Sequence, residues 1–379
     1  MSSKNLKIAM IGHKRIPSRE GGVERVVEEL SIRLVNKNHI VDVYNRKGNH
    51  VSGSQFDEYN NENNKYYRGI RIITIPTFQS GSLNAVVYSL IASIRAVFGK
   101  YDVIHYHAEG PCSMLWIPHI FGIKTVATIH GLDWKRSKWN IFASEFIKFG
   151  ERVAVKYADE IIVLSQNNKD YFNNVYNREV KFIPNGIYKP LVRDGDIIEN
   201  KYGIKKNEYI LFLARIVPEK GLHYLLDAYK NISTSKKLVI AGGSSHTDKY
   251  MKEIKDRAKN DKRIIMTGFV QGKELEELYS NAYIYVLPSD VEGMPISLLE
   301  AMSYGQCCLV SNIDENIEVI GDNGISFNKG SSSDLKKKLE WLINNSDIVD
   351  NYKNKSSNYI CNKYNWNEIV EKTIKLYKE

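Results

Sequence analysis

The sequence predicts an α/β protein of two domains, each built on a parallel sheet. Three observations carry this. The chain has 379 residues, more than a single hydrophobic core ordinarily serves. Short apolar runs alternate with segments of helical period along its length. A strand, a glycine-bearing loop and a helix recur near the start of each half, at residues 6–35 and again at 209–229.

Composition bounds the class. The chain is 43% hydrophobic and 26% charged, as soluble globular proteins are. Cys112, Cys307, Cys308 and Cys361 follow no ligand or disulfide spacing, which points to a reducing compartment. Residues 1–5 are short and polar and a strand begins at Leu6, so no signal peptide is expected. The longest apolar run, 83–98, is broken by Asn84, Ser89, Ser93 and Arg95 and is too short and polar to span a bilayer. The expected location is the cytoplasm, with peripheral attachment to the inner face of the cell membrane. The net charge of +9 suits nucleic acid, anionic lipid or a phosphorylated ligand. No aromatic-interleaved basic patch is present. A phosphate-bearing ligand and an anionic membrane surface are therefore the expected partners, and nucleic acid is not.

The first strand, 6–11, leads into a loop made basic by His13, Lys14, Arg15 and Arg19. Gly21 and Gly22 then precede a helix with Val23, Val26, Val27, Leu30 and Leu34 at helical period. Two glycines there let a backbone approach a ligand closely. The loop lacks the Gly-x-Gly-x-x-Gly spacing of a dinucleotide site. Strands are predicted at 41–44 and 70–75, with a polar loop between them from 46 to 68. The helix at 83–98 reads as a buried helix packing on the sheet, with a membrane-facing helix as the alternative.

The strand ending at His107 places His105 and His107 on one side. With His119 and His130 they lack metal-ligand spacing, and no metal is expected. The strand 124–129 ends in His130-Gly131, followed by Asp133 and Trp134. A long helix at 142–157 and strands at 161–165 and 180–183 follow, and Pro184-Asn185-Gly186 is turn chemistry. Asp194-Gly195-Asp196 lies in a linker and reads as a turn.

In the second half, the strand 209–213 runs into Ala214-Arg215-Ile216-Val217-Pro218-Glu219-Lys220-Gly221. Two cations five apart across a strand-to-helix loop suit a phosphate-bearing ligand. The Arg215 fork holds two oxygens and Lys220 acts as a point charge. Strands at 238–241, 264–267, 284–287 and 308–311 alternate with helices. Gly242 and Gly243 follow the first of these and Phe269 the second. After the strand 284–287 comes Ser289-Asp290-Val291-Glu292-Gly293-Met294-Pro295-Ile296-Ser297-Leu298-Leu299-Glu300-Ala301-Met302. Pro295 suits the first helical position, and Gly305 can end the helix. A surface helix is expected at 334–344.

These motifs resemble those of the family 4 retaining glycosyltransferases. Glu292 and Glu300 match the family's Glu-x7-Glu. Arg215 and Lys220 match its Gly-Arg-x4-Lys-Gly, with Ala214 in place of the first glycine. Gly21-Gly22-Val23-Glu24 and Thr128-Ile129-His130-Gly131 match its two amino-terminal signatures. The segment 101–139 resembles a subgroup that builds bacterial surface polysaccharides.

The resemblance implies two facing Rossmann-like domains, the GT-B fold, with an interdomain cleft. Its bounds would be an acceptor domain at 1–185, a donor domain at 186–362 and a final helix at 363–379 that crosses back. It implies a metal-independent transferase without a cofactor, using a nucleotide-diphosphate sugar, UDP-linked by expectation, and a saccharide or lipid-linked saccharide acceptor. Arg215, Lys220, Glu292 and His130 would be catalytic. Gly21, Gly22, Gly242, Gly243, Phe269, Gly293, Met294, Pro295, Ile296 and Glu300 would bind the donor. His107, Asp133 and Trp134 would line the acceptor side. A nucleotide-sugar epimerase of the same fold and a non-catalytic partner subunit remain the alternatives, with a nucleic-acid glycosylating enzyme suggested by charge alone.

Overall fold

The computed structural model describes residues 5–18, 21–47, 65–77, 81–136, 139–243 and 248–379. The expected basic side chain of Arg19 and most of the polar stretch 46–68 lie outside them. The chain divides into two compact units, Met1–Asn185 with Asn367–Glu379, and Gly186–Trp366.

In chain order the first unit contains β1 (Lys7–Ile11), α1 (Gly22–Asn36), β2 (Ile40–Arg46), β3 (Tyr66–Tyr67), β4 (Ile70–Ile75), α2 (Gly81–Val97) and β5 (Val103–His107). It continues with α3 (Glu109–Cys112), α4 (Trp116–Ile120), β6 (Lys124–Ile129), α5 (Ile141–Tyr157), β7 (Glu160–Val163), α6 (Gln166–Tyr176) and β8 (Lys181–Phe182). Its sheet runs β3-β4-β2-β1-β5-β6-β7-β8. All pairs are parallel except β3 with β4, which is antiparallel. The end of the polar stretch expected as loop thus carries a short edge strand. The central strands β1, β5 and β6 are buried along nearly their whole length, as strands of a parallel sheet covered on both faces are. Ala9, Ile11, Ile104, Tyr106, Ala127 and Ile129 are all buried in one core.

The second unit contains α7 (Asp196–Tyr202), β9 (Tyr209–Leu213), α8 (Leu222–Lys230), β10 (Lys237–Ala241), α9 (Asp248–Ala258), β11 (Ile264–Gly268), α10 (Gly272–Asn281) and β12 (Ile284–Leu287). Then come α11 (Ile296–Ser303), β13 (Cys308–Ser311), α12 (Asp314–Ile320), β14 (Ile325–Phe327), α13 (Ser332–Ile343), α14 (Ser346–Lys363) and the start of α15 (Trp366–Lys378). The sheet order is β11-β10-β9-β12-β13-β14, wholly parallel. Helix α8 shows why it packs there: Leu222, Leu225, Leu226 and Tyr229 fall on one face and are buried. Each such side chain contributes about 1.5–3 kcal/mol.

Two readings are corrected. Asp196 is not linker but opens α7, with Gly195 as its N-cap. The surface helix expected at 334–344 is α13, which buries one face through Leu335, Leu339 and Leu342. The return to the first unit falls between Trp366 and Asn367, later than the expected 362/363. There Ile187 N–H donates to the Tyr364 carbonyl at 2.7 Å, and the Trp366 ring fills the space a Cβ on Gly186 would occupy. Beyond that point α15 belongs to the first unit: the Tyr377 hydroxyl lies 2.6 Å from His105 Nδ1, and Lys124 Nζ donates to the Leu376 carbonyl at 2.8 Å.

Candidate active site

In each sheet one pair of neighbouring strands sends its connections in opposite directions. Ligands of open parallel sheets bind at such a switch point, beyond the carboxyl ends of the strands. In the second unit it falls between β9 and β12.

The loop after β9 is held against the loop after β12. Gly221, at φ 65°, ends a short 3₁₀ turn, Pro218–Lys220. A Cβ there would run into the Pro288 carbonyl, so glycine is needed for both conformation and space. Asp290 N–H donates to the Glu219 carbonyl at 2.8 Å. This clasp brings Lys220 and Glu292 into an ion pair, both side chains largely buried. The Ser289 hydroxyl donates to Glu292 Oε1 at 2.6 Å, and the Ser311 hydroxyl holds the Ser289 carbonyl at 2.5 Å. Arg215 lies half-buried in the same loop, and its guanidinium has no hydrogen-bond partner among the described residues.

Glu300 is the fifth residue of α11 and is buried. The Tyr279 hydroxyl donates to its Oε2 at 3.0 Å. Pro295 is the N-cap rather than the first helical residue, with extended backbone at φ −76° and ψ 100°. The helix has no side-chain cap hydrogen bond, and Leu298 N–H already donates to the Pro295 carbonyl at 3.0 Å, so among the described residues the N–H groups of Ile296 and Ser297 are the ones left to favour an anion. Gly293, buried Met294 and Ile296 border this start. Gly242 and Gly243 follow β10, beside β9, and partly exposed Phe269 follows β11. The second unit therefore gathers Arg215, Lys220, Glu292, Gly293, Met294, Pro295, Ile296 and Glu300 around the switch point, with Gly242, Gly243 and Phe269 along the adjoining strand ends.

In the first unit the switch point lies between β1 and β5. His13 follows β1, His107 ends β5 and His130 follows β6, and all three are buried. His107 Nδ1 and His130 Nε2 are 3.1 Å apart, one donating to the other. His105 stacks 4.2 Å from His107 and faces Thr128 Oγ1 at 2.7 Å. Burial holds His130 and His13 at about 4 and His105 at about 3, and pulls His107 well below the ordinary histidine range. These rings are therefore neutral at pH 7. Gly21 is the extended N-cap of α1 and Gly22 its first residue. A Cβ on Gly21 would strike the Glu24 carboxylate, which accepts from Lys14 N–H at 3.0 Å.

Asp133 and Trp134 sit on a single 3₁₀ turn, Asp133–Lys135. Asp133 pairs with Arg136 at 2.9 Å, and its N–H donates to Glu109 Oε2 at 2.8 Å. The Trp134 indole donates to Glu151 Oε2 at 3.2 Å, and Tyr171 donates to Oε1 at 2.9 Å. Burial first, then Asp133, raises the Glu109 carboxyl well above its usual range. Sequence reasoning missed Tyr279, Ser289, Glu109 and Glu151. Tyr279, Glu109 and Glu151 act on residues remote in sequence, so no local pattern marks them, while Ser289 acts on Glu292 three residues on. No group of three or more His, Cys, Asp or Glu among the described residues could hold a metal ion.

Known families match both halves. The Glycosyltransferase Family 4 model matches residues 20–188, and the model for glycosyl transferases group 1 matches 194–366. An uncharacterized glycosyltransferase of Methanocaldococcus jannaschii is 26% identical, with 98% of each chain covered. The UDP-Gal:alpha-D-GlcNAc-diphosphoundecaprenol alpha-1,3-galactosyltransferase of Escherichia coli is 26% identical over 81% of this chain and 84% of its own. Among solved structures, Anabaena HepE in complex with UDP and glucose superposes with a TM-score of 0.81 at 17% identity, covering 99% of this chain and 100% of that one. WaaG, a glycosyltransferase involved in lipopolysaccharide biosynthesis, gives 0.75 at 15%, covering 98% and 99%. At these identities the structural likeness establishes the fold, GT-B.

Proposed function

This chain belongs to the group 1 glycosyl transferases, with a family 4 amino-terminal half, and from that premise we propose that it moves a sugar from UDP to a lipid-linked saccharide in surface-polysaccharide synthesis. The observation that carries the reading is the meeting of Arg215, Lys220, Glu292 and Glu300 at the β9/β12 switch point.

The second unit takes the donor. The glycosidic bond from the anomeric carbon to the β-phosphate oxygen breaks, and the diphosphate gains negative charge. Arg215 and Lys220 stabilise that charge, and aimed donors of this kind are worth roughly 3–4 kcal/mol each in a transition state. The new bond forms from the acceptor oxygen to the same face of the anomeric carbon, so configuration is retained. The acceptor's proton passes to the departing phosphate oxygen. No metal is required, because the two cations and the N–H groups opening α11 supply the positive field. Glu300 holds the ribose, and Glu292 positions the sugar. His130 is assigned to the sugar, and Gly21 and Gly22 to the phosphates, by the family resemblance.

The acceptor is assigned to the first unit, with His107, Asp133 and Trp134 on its side. The printed substrate of the Escherichia coli relative, a diphosphoundecaprenol-linked sugar, supports a lipid-linked acceptor. No helix among the described residues is long and apolar enough to cross a membrane, so such an acceptor is met at a membrane surface.

The test is thermal stabilisation by a panel of nucleoside diphosphates and their sugars, with Arg215→Ala and Glu300→Ala beside the wild type. A shift with uridine nucleotides that both variants lose is expected. A shift retained in both variants would remove the donor from this site.

A further inference from the structure

Helix α4 packs on α2 and touches α5 in the first unit. All three leave large apolar side chains in solvent on their outer surfaces. Helix α2 presents Ile94, and Phe98 just beyond its end is 77% exposed. Helix α4 presents Trp116 and Ile120, the latter 63% exposed, with Phe121 next to it at 61%. Helix α5 begins with Ile141 and Phe142, 80% and 87% exposed. Its stripe continues at Phe149, seven residues on and so on the same face, and ends one turn later at buried Val153, while Ile147 and Ala154 are buried on the opposite face. Isolated exposed apolar residues are ordinary, but neighbouring elements that all expose aromatic or branched groups mark an interaction surface.

The charge around these helices narrows the partner. The first unit holds 28 lysines and arginines against 20 acidic residues, a net of +8, while the second holds 25 against 24, a net of +1. Nearly all of the chain's excess positive charge is thus in the unit that bears the apolar residues. Arg95 and Lys100 flank the end of α2, and Arg152 lies three residues beyond Phe149. Glu145 offsets part of this, lying 3.7 Å from Lys148 and 4.0 Å from Arg152. Tryptophan, phenylalanine and isoleucine rimmed by lysine and arginine is the pattern of helices that lie in a membrane interface. None of these helices is long and apolar enough to cross a bilayer.

We propose that the outer faces of α2, α4 and the start of α5 dock on an anionic phospholipid surface, with Ile120, Phe121, Ile141 and Phe142 entering the headgroup boundary. A second copy of the chain is a poorer occupant. A two-fold contact presents the same patch from both sides, which would bring the basic groups of both copies, Arg95, Lys100 and Arg152, into one interface with no added acidic partner. The inference rests on the proposed lipid-linked acceptor for its purpose, while its evidence is the surface itself.

The experiment is co-sedimentation of the full chain with vesicles of phosphatidylglycerol and phosphatidylcholine in equal parts, and with phosphatidylcholine alone. Binding is expected to the anionic vesicles, weakening as salt rises. The double variant Phe121→Ser/Phe142→Ser is expected to lower the bound fraction by about tenfold, since both rings leave water on docking. Nucleotide-induced thermal shifts on the same variant show whether it is folded and whether its donor site is intact. Equal vesicle binding by variant and wild type, or none by the wild type, overturns the proposal. If the wild type is dimeric, the variant monomeric and neither binds vesicles, the patch joins two copies instead. Loss of the nucleotide shift in the wild type would count against the donor reading alone.

Discussion

Lys220 and Glu292, 72 residues apart in sequence, form an ion pair at the carboxyl ends of neighbouring strands in the second unit. Lys220 comes from the loop after β9 and Glu292 from the loop after β12. Both side chains are largely withdrawn from water, at 13% and 8% exposure, so each charge is compensated mainly by the other. One contact thereby links the residue assigned to the leaving phosphate with the one assigned to the sugar.

Removing one partner should therefore cost more than removing both. Lys220→Ala leaves a buried carboxylate without its cation and is expected to destabilise the unit by about 3 kcal/mol. The double variant Lys220→Ala/Glu292→Gln should recover more than half of that loss. Urea unfolding of the four proteins measures the coupling, and additive effects would show that the pair contributes nothing to the fold.

Arg215 contributes through geometry as well as charge. Its guanidinium offers two parallel donors to a diphosphate, whereas a lysine offers a point charge. Arg215→Lys is expected to lower kcat by about 100-fold with the fold unchanged. Sugar transfer from the donor found in the nucleotide panel measures this, and an unimpaired variant would reassign the leaving-group role.

Tyr279 orients Glu300 through its hydroxyl. Tyr279→Phe keeps the ring, which stacks at 5.3 Å on Tyr304, and removes a hydroxyl that lies 3.0 Å from Glu300 Oε2 and 3.3 Å from the Ser297 carbonyl, a loss of about 1 kcal/mol. Nucleotide binding should weaken roughly fivefold, less than in Glu300→Ala. Titration calorimetry reads both, and an unchanged Kd for Tyr279→Phe would show that Glu300 is held without it.

Acid should destabilise the first unit before most carboxylates titrate. Burial keeps His13 and His130 at about 4 and His105 at about 3 in the folded state, against 6.5 for an ordinary histidine. The unfolded chain thus binds more protons between about pH 6.5 and pH 3–4, so stability falls as pH falls through that window. Above pH 6.5 both states are neutral at these rings, and their contribution is fully present. Melting temperatures at pH 7.5, 6 and 5 should decline stepwise; His105→Gln should flatten the decline without abolishing it. A flat profile would mean that these rings accept protons in the folded state.

The donor-side loops were legible because each is local. A strand followed by an arginine, a lysine five residues on and a glycine can be read from a few letters. So can two glutamates flanking the start of an apolar helix. The class followed from the alternation of apolar runs with helical periods. Helix α14 was not read. Its sequence is rich in asparagine, serine and lysine, and it is held by packing instead: Ser356 donates to the Met302 carbonyl at 3.1 Å and Lys353 to the Ala282 carbonyl at 2.7 Å. Glu24, Glu109 and Glu151 carry no local mark of burial yet are buried, because their partners come from other elements.

By itself, then, the sequence determined the α/β class, the order of elements and the residue types in each loop, since these depend on periodicity and turn chemistry within a few residues. Only the tertiary structure decided which loops meet. Strand β12 lies beside β9 and not beside β11, its nearest predecessor in the chain. That order pairs Lys220 with Glu292 and leaves Arg215 in the same crevice. Which strands become neighbours is settled by the packing of whole helices on both faces of the sheet, a cooperative outcome that no single segment encodes.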